Sequence, residues 1–461
     1  MSDTRIILDV RFLATLVRCL RSVPFLGLLF AITLLSACAE REVILPGTRE
    51  AISTSSMLGD SKSIDTNSDR NFSLDIRLPI QIANSEAAQN RGSRIFRTDN
   101  PKLSTNLNPI WSVNIGEGDS RRQRIVADPV VSGGRIFTLD ALTLVSAVST
   151  SGVLIWQQNI LPAGADEKDA TGGGLAVEGS VVYAASGFGT ITALNASTGA
   201  KIWTQDVEGV GIGAPTVVGD LVYVIAGDTI GWALNKKNGR IQWQLIASVS
   251  GSNVLGAPAP IIADDLMVFA FGSGEIQAVF RRGGLRRWDA SVLGERKGRA
   301  LAKIGDITGQ PIEANGIIYA GNQSGRLVAV NAGNGARIWS VSEGVIDRIV
   351  PVGGSLFLIN DRNELLRLNA FDGNRIWGVP LPNFIKNRPK KMASVFVNHG
   401  PILAGGRILV ASSDGVIRSY DPTSGTLLGL TDITGGASTN PVVAGQTLYI
   451  VSSSGELVAF R

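Results

Sequence analysis

VVYAASGFGTITALNASTGAKIW, Val181 to Trp203, decides how the rest of this chain is read. Thr190, Thr192 and Leu194 alternate with Ile191 and Ala193, the period-two pattern of a strand whose two sides face different surroundings. NASTGAK then supplies Asn and Gly where a turn needs left-handed backbone, and a last strand is entered through Trp203. The pattern returns as IIYAGNQSGRLVAVNAGNGARIW, ending at Trp339, and as LFLINDRNELLRLNAFDGNRIW, ending at Trp377. Short alternating strands that repeat roughly every 40 to 50 residues cannot bury their faces within one copy, so neighbouring copies must stack. The chain is therefore all-β, and the stack has to close into a ring, a β-propeller.

Trp156, Trp203, Trp243, Trp288, Trp339 and Trp377 mark the last strands of six blades, and Leu428, after DPTSGTLL, takes the place of the seventh. NPVVAGQTLYIVSSSGELVAFR reaches Arg461 only three strands into an eighth blade. Upstream, LNPIWSVNIG (Leu107 to Gly116) carries Trp111 in the blade-closing position and has no blade of its own. Joining it to the C-terminal strands gives an eight-bladed propeller over 107–461 and removes two free sheet edges. The repeated tryptophans are read as large apolar fillers between blades, and Trp232, outside the pattern, as core.

Residues 1–37 carry Arg5, Arg11, Arg18 and Arg21, then VPFLGLLFAITLL, then LSAC ending at Cys38. A basic segment followed by so short an apolar run is an export signal, not a membrane span. Leu35, Ser36, Ala37 and Cys38 resemble the bacterial lipobox, which implies that Cys38 is acylated and becomes the first residue after cleavage. Ala39, in place of Asp, implies transfer to the outer membrane. Cys19 falls inside the signal, so no internal disulfide is available. Residues 38–106 are rich in Ser, Asn, Asp and Arg and read as a flexible tether, with a weak strand at Phe72 to Ile76 or a short helix near Ser85 to Asn90.

A formal net charge of +4 on 461 residues carries no nucleic-acid reading. Arg281, Arg282, Arg286 and Arg287, and the Lys386, Arg388, Lys390 and Lys391 group, read as solvated faces, with a partner or lipid headgroups as the alternative. His399 is the sole histidine and sits in a turn-like NHGP, which points to a structural role. One possible base and no spare thiol leave neither a catalytic triad nor a zinc site, so no cofactor or metal is expected.

The turn-plus-Trp element resembles the repeat of pyrroloquinoline-quinone-type propellers across Leu107 to Arg461. Quinoprotein dehydrogenases of that superfamily place adjacent cysteines over the cofactor, and this chain has no such pair. With the lipobox and tether, the chain most resembles the BamB family, lipoproteins of the outer-membrane β-barrel assembly machinery. The resemblance implies a non-catalytic scaffold, lipid-anchored on the periplasmic face of a Gram-negative outer membrane. Its implied partners are the central barrel-forming subunit, the other lipoproteins of the complex and unfolded outer-membrane clients. It also implies docking through the connection between the fourth and fifth blades, here ASVLGERKGRALAKIGDITGQP, with Arg299, Lys303 and Asp306 as the matching residues. Thr308 stands where the family often has a second acid. A ligand-binding or structural envelope lipoprotein is the alternative on the same fold, and a quinoprotein enzyme a more remote one.

Overall fold

The computed structural model describes residues 71–461, apart from 170–171, 210, 228, 250–256, 295, 297–305, 387, 389–391 and 393. The expected signal peptide and Cys38 lie outside the described residues. Eight four-stranded antiparallel sheets follow one another, seven of them continuous in sequence. The eighth takes three strands from the C-terminal end and its outermost from β1 (Pro109–Asn114), which pairs with β32 (Glu456–Phe460), Trp111 lying opposite Ala459. The fold is the expected eight-bladed propeller, closed by its N-terminal strand.

Each blade repeats one side-chain arrangement. In the second blade the three strands from Val181 to Asp206 place Tyr183, Ala193 and Trp203 in one row across the sheet. A register shift at Ala193/Leu194 brings the indole into that row, and the small Ala193 lets the two rings meet at 6.0 Å. The Trp203 N–H then donates to the Lys236 carbonyl of the next blade at 3.0 Å, and the ring lies on Gly239. Gly239 is required twice over: its φ is +73°, and a Cβ there would stand 2.6 Å from the indole. Trp111, Trp156, Trp243, Trp288, Trp339 and Trp377 each donate in the same way to the following blade.

The seventh blade breaks the pattern, and the residue in the tryptophan place is not Leu428. Pairing across that sheet puts Leu409, Ser419 and Gly429 in the row, while Leu428 falls in the register shift and stays exposed. Blade eight explains the gap: its third and outer strands come from opposite ends of the described chain and share no turn. An indole at 429 would have no glycine turn to lie on, and a Cβ at Gly429 meets nothing within 4 Å.

Residues 71–106 depart from the expected tether, for they are bound to the ring along much of their length. The Phe72 N–H donates to Ile376, and Asn71 exchanges two bonds with the Gly378 backbone on the edge of blade six. From Asn84 onward the chain passes the innermost strands in turn. Asn84 bonds Val443 and Gly445, Ala87 pairs with Val131, Ala88 accepts from Val177, and Gln89 bonds both backbone groups of Val217. Ser93 accepts from Ile262 and Gly92 from Glu313. Pro101 and Asn100 then accept from Gly405 and Gly406 in blade seven. The innermost strand of each sheet leaves one edge of backbone groups unpaired, and this strap satisfies some of them in blades one to five and in blade eight. The region 85–90 is accordingly extended rather than helical, and Phe72 to Ile76 forms no strand. Two buried arginines hold the strap's ends, Arg367 donating to the Leu74 carbonyl and Arg407 to that of Ser104.

Candidate partner-docking site and channel

Up-and-down strand order puts the turns between first and second and between third and outer strands on one face of the ring. The opposite face carries the second-to-third hairpins and the linkers between blades. The blade four to five linker leaves β17 (Arg286–Ser291) on that linker face. Its described anchor is Arg296. The guanidinium donates to both carboxylate oxygens of Asp361 at 2.9 and 3.1 Å, to Glu343 at 2.9 Å and to the Ser342 carbonyl at 2.6 Å. Burial would lower the Arg296 pKa, but Asp361 and Glu343 outweigh it and raise it. Burial pushes the Glu343 carboxyl up despite Arg296 and the Asn360 amide beside it. Bidentate guanidinium–carboxylate geometry of this kind fixes orientation as well as charge, so the linker starts from a rigid point.

Of the three docking residues expected from the sequence, Arg299 and Lys303 lie outside the described residues. Asp306 is only 4% exposed, so it belongs to the wall of the ring rather than to a solvated loop tip. It lines a cavity of about 390 Å³ in the central channel, whose other walls include Asp128, Gln310, Asp347, Arg348 and Asn440, with Ala87 and Arg91 of the strap. Downstream of Asp306 the linker is stitched into place: Thr308 donates to the Val345 carbonyl, and the Gln310 amide exchanges two bonds with the Ala259 backbone. Thr308 therefore has a structural partner. Lys386 and Arg388 are described on the same face, but Lys390 and Lys391 are not.

The channel holds a polar cluster that sequence reading missed. Arg348 pairs with Asp128, and the Asn440 amide donates to Asp128 at 3.3 Å and to Asp347 at 3.1 Å. Burial raises the Asp347 pKa, and burial lowers that of His399 although Asp347 and Asp128 oppose the shift. Arg91 is brought down to about 10 by burial and by the neighbouring charges of Arg348 and Arg97. A signal was present: Asp128 and Asn440 each precede a proline that opens an innermost strand, as ADPVV and TNPVV, so the repeat itself carries them to the axis.

The family model described as "Outer membrane protein assembly factor BamB" matches residues 141–379 and 382–461. The chain belongs to the BamB family. Among curated proteins, the outer membrane protein assembly factor BamB of Yersinia pestis is 23% identical over 368 residues, 78% of this chain and 91% of that protein. The crystal structure of BamB from Moraxella catarrhalis covers 77% of this chain and 99% of its own, with a TM-score of 0.64 and 19% identity. A europium-containing methanol dehydrogenase superposes nearly as well, with a TM-score of 0.63, 14% identity and coverage of 82% and 98%. Likeness at that identity is one of fold, so the propeller by itself does not separate scaffold from enzyme. BamB-family membership comes from the sequence of the repeats.

Proposed function

We propose that this BamB-family propeller is a non-catalytic subunit of the outer-membrane β-barrel assembly machinery, carried on the periplasmic face of the outer membrane by acylated Cys38. It docks the central barrel-forming subunit through the linker between blades four and five and assists insertion of unfolded outer-membrane proteins. The family match across most of the ring carries the reading. The clamp of Arg296 on Asp361 and Glu343 supports the choice of linker, because a polar segment that starts from a fixed root needs less ordering on binding.

Copurification tests it without disturbing the wall of the channel. Reversing Arg299 and Lys303 to Glu, with Asp306 left in place, is expected to weaken recovery of the barrel-forming subunit about thirtyfold, the consequence of losing about 2 kcal/mol of interface hot spot. Unfolding midpoint and circular dichroism should stay as in the parent. Undiminished recovery would move the docking site to the Lys386 insertion. Acylation is checked separately, by mass spectrometry for a diacylglyceryl adduct on Cys38.

A further inference from the structure

Charge is distributed unevenly over the turn face. Blades three and four expose Lys237, Arg240 and Arg282 on the turns before their outer strands, and Arg286 and Arg287 where blade four's outer strand begins, whereas those turns on blades one, six and seven expose no Lys or Arg. Asp220, Asp264 and Asp265 on adjacent turns leave the two blades net positive. Apolar side chains stand among these cations: Leu285 is 70% exposed, Phe280, whose N–H donates to the Leu285 carbonyl, is exposed as well, and Ile241 is exposed directly after Arg240. In the turn itself, a Cβ added at Gly283 would meet nothing within 4 Å.

We propose that the basic rim of blades three and four lies against an anionic phospholipid surface, its arginines on headgroup phosphates and Leu285 at the edge of the acyl region. Guanidinium forks match phosphate oxygens, and a cationic surface with apolar tips is the composition that settles at a bilayer interface. An acidic protein partner would use the cations but gain less from an exposed leucine in the same turn. The path of the chain agrees. From Gly378 on the outer edge of blade six it passes to Thr423 in a turn of blade seven, where the Leu74 N–H donates to the carbonyl, and to Gly353 in a turn of blade six, on which Ile76 packs, so the described chain runs onto this same face, across the ring from the basic rim. This inference rests on the lipid-anchor reading only for that agreement. From Cys38 to Asn71 is 33 residues (71 minus 38), a reach of up to about 110 Å when extended, so an anchor alone fixes neither face nor distance. Contact at the rim of blades three and four, with arrival at blades six and seven, lays the turn face along the membrane and leaves the linker face free for partners.

The test uses the whole exported chain with Cys38→Ser, so that binding owes nothing to acyl chains, and vesicles of phosphatidylethanolamine containing phosphatidylglycerol. The parent is expected to sediment with these vesicles, to be released by salt, and to ignore vesicles of phosphatidylcholine alone. Replacing Arg282, Arg286 and Arg287 with Gln should lower partitioning about a hundredfold, at about fivefold per charge near an anionic surface. Leu285→Ser should weaken binding while keeping its salt dependence. Arg121 and Arg122, exposed on the linker face, serve as the control, and their change to Gln should leave binding intact. Equal losses from both arginine sets, or unchanged binding by the triple variant, would overturn the inference. So would a triple variant that binds vesicles normally but no longer recovers the barrel-forming subunit, since the rim would then be a protein contact. A chain whose Cys38 proves unacylated would defeat the anchor reading yet leave the vesicle result standing.

Discussion

Seven of the eight seams between blades are closed by an indole, and the seam between blades seven and eight is not. Where an indole is present, its N–H reaches the neighbouring blade at 2.9 to 3.3 Å and its ring rests on a turn. At the exception, Gly429 faces open space, and the seam is filled instead by Leu103 of the strap and Leu107 at the start of the closing segment, packed with Ile402, Leu409, Val458 and Phe460. The difference shows that the tryptophan belongs to the pair of blades rather than to one. It recurs wherever the following blade offers a turn, and is lost where that blade is assembled from two chain ends. Closure then falls to backbone pairing and to side chains lent by the N-terminal segment.

The largest effect that would break this comparison is removal of the closing strand. Deleting 107–116 strips the edge of β32 and takes away Leu107, Trp111 and the fully buried Ile115, so loss of a cooperative unfolding transition is expected. A deletion of 53–69, outside the described residues and polar in sequence, is expected to leave the midpoint in place. Calorimetry of the two chains decides, and equal midpoints would refute closure by β1.

Single substitutions sharpen the contrast at a smaller scale. Trp377 is fully buried, pairs with Phe357 at 5.7 Å and donates to Pro422, so Trp377→Ala should cost about 3 to 5 kcal/mol in denaturant unfolding. Gly429→Trp should change stability by less than about 0.5 kcal/mol, because the new side chain enters open space without a turn to seal. A large gain from Gly429→Trp would mean that the seam is simply underfilled.

What could be read in the sequence follows from which signals were carried by side chains. Period-two alternation, the turn before each Trp and the orphan strand around Trp111 gave the blades, their number and their closure. Leu428 was misplaced by one residue although the place was legible: from Trp156 to Trp377, each blade-closing Trp stands four residues beyond a turn glycine, as Trp377 does beyond Gly373, and four beyond Gly425 is Gly429. The strap escaped notice for a different reason. Its contacts run through backbone groups at Ala87, Ala88, Gly92 and Pro101, and a segment bound by its main chain needs no apolar period, so it reads as linker. Asp306 was assigned to a loop because an acid in a polar connection usually is solvated. Its burial depends on where the linker rejoins the ring, which Thr308 and Gln310 fix through bonds to residues distant in sequence. Arg367 offered a legible clue, a charged residue in the row where other blades have mostly Ala.

The smallest expected effect concerns the axis, where Asp347 and His399 titrate close together. His399 is the only histidine, and burial holds its pKa below the ordinary 6.5. Below pH 6.5 the unfolded chain takes up a proton that the folded ring does not, so this group removes stability as pH falls from 6.5 to the folded pKa, no more steeply than about 1.4 kcal/mol per pH unit. Asp347 works in the opposite sense. Its folded pKa is raised from 3.8, so the unfolded chain loses its proton first, and stability declines as pH climbs from 3.8 to the folded value. The two slopes are separable by substitution. In His399→Gln the part of the acid-side decline that sets in just below pH 6.5 should vanish, whereas Asp347→Asn should remove the opposing slope from its side of the profile. Denaturant midpoints measured at half-unit steps across the acid range check both, and a His399→Gln profile superimposable on the parent would show that the histidine protonates equally well in the folded ring.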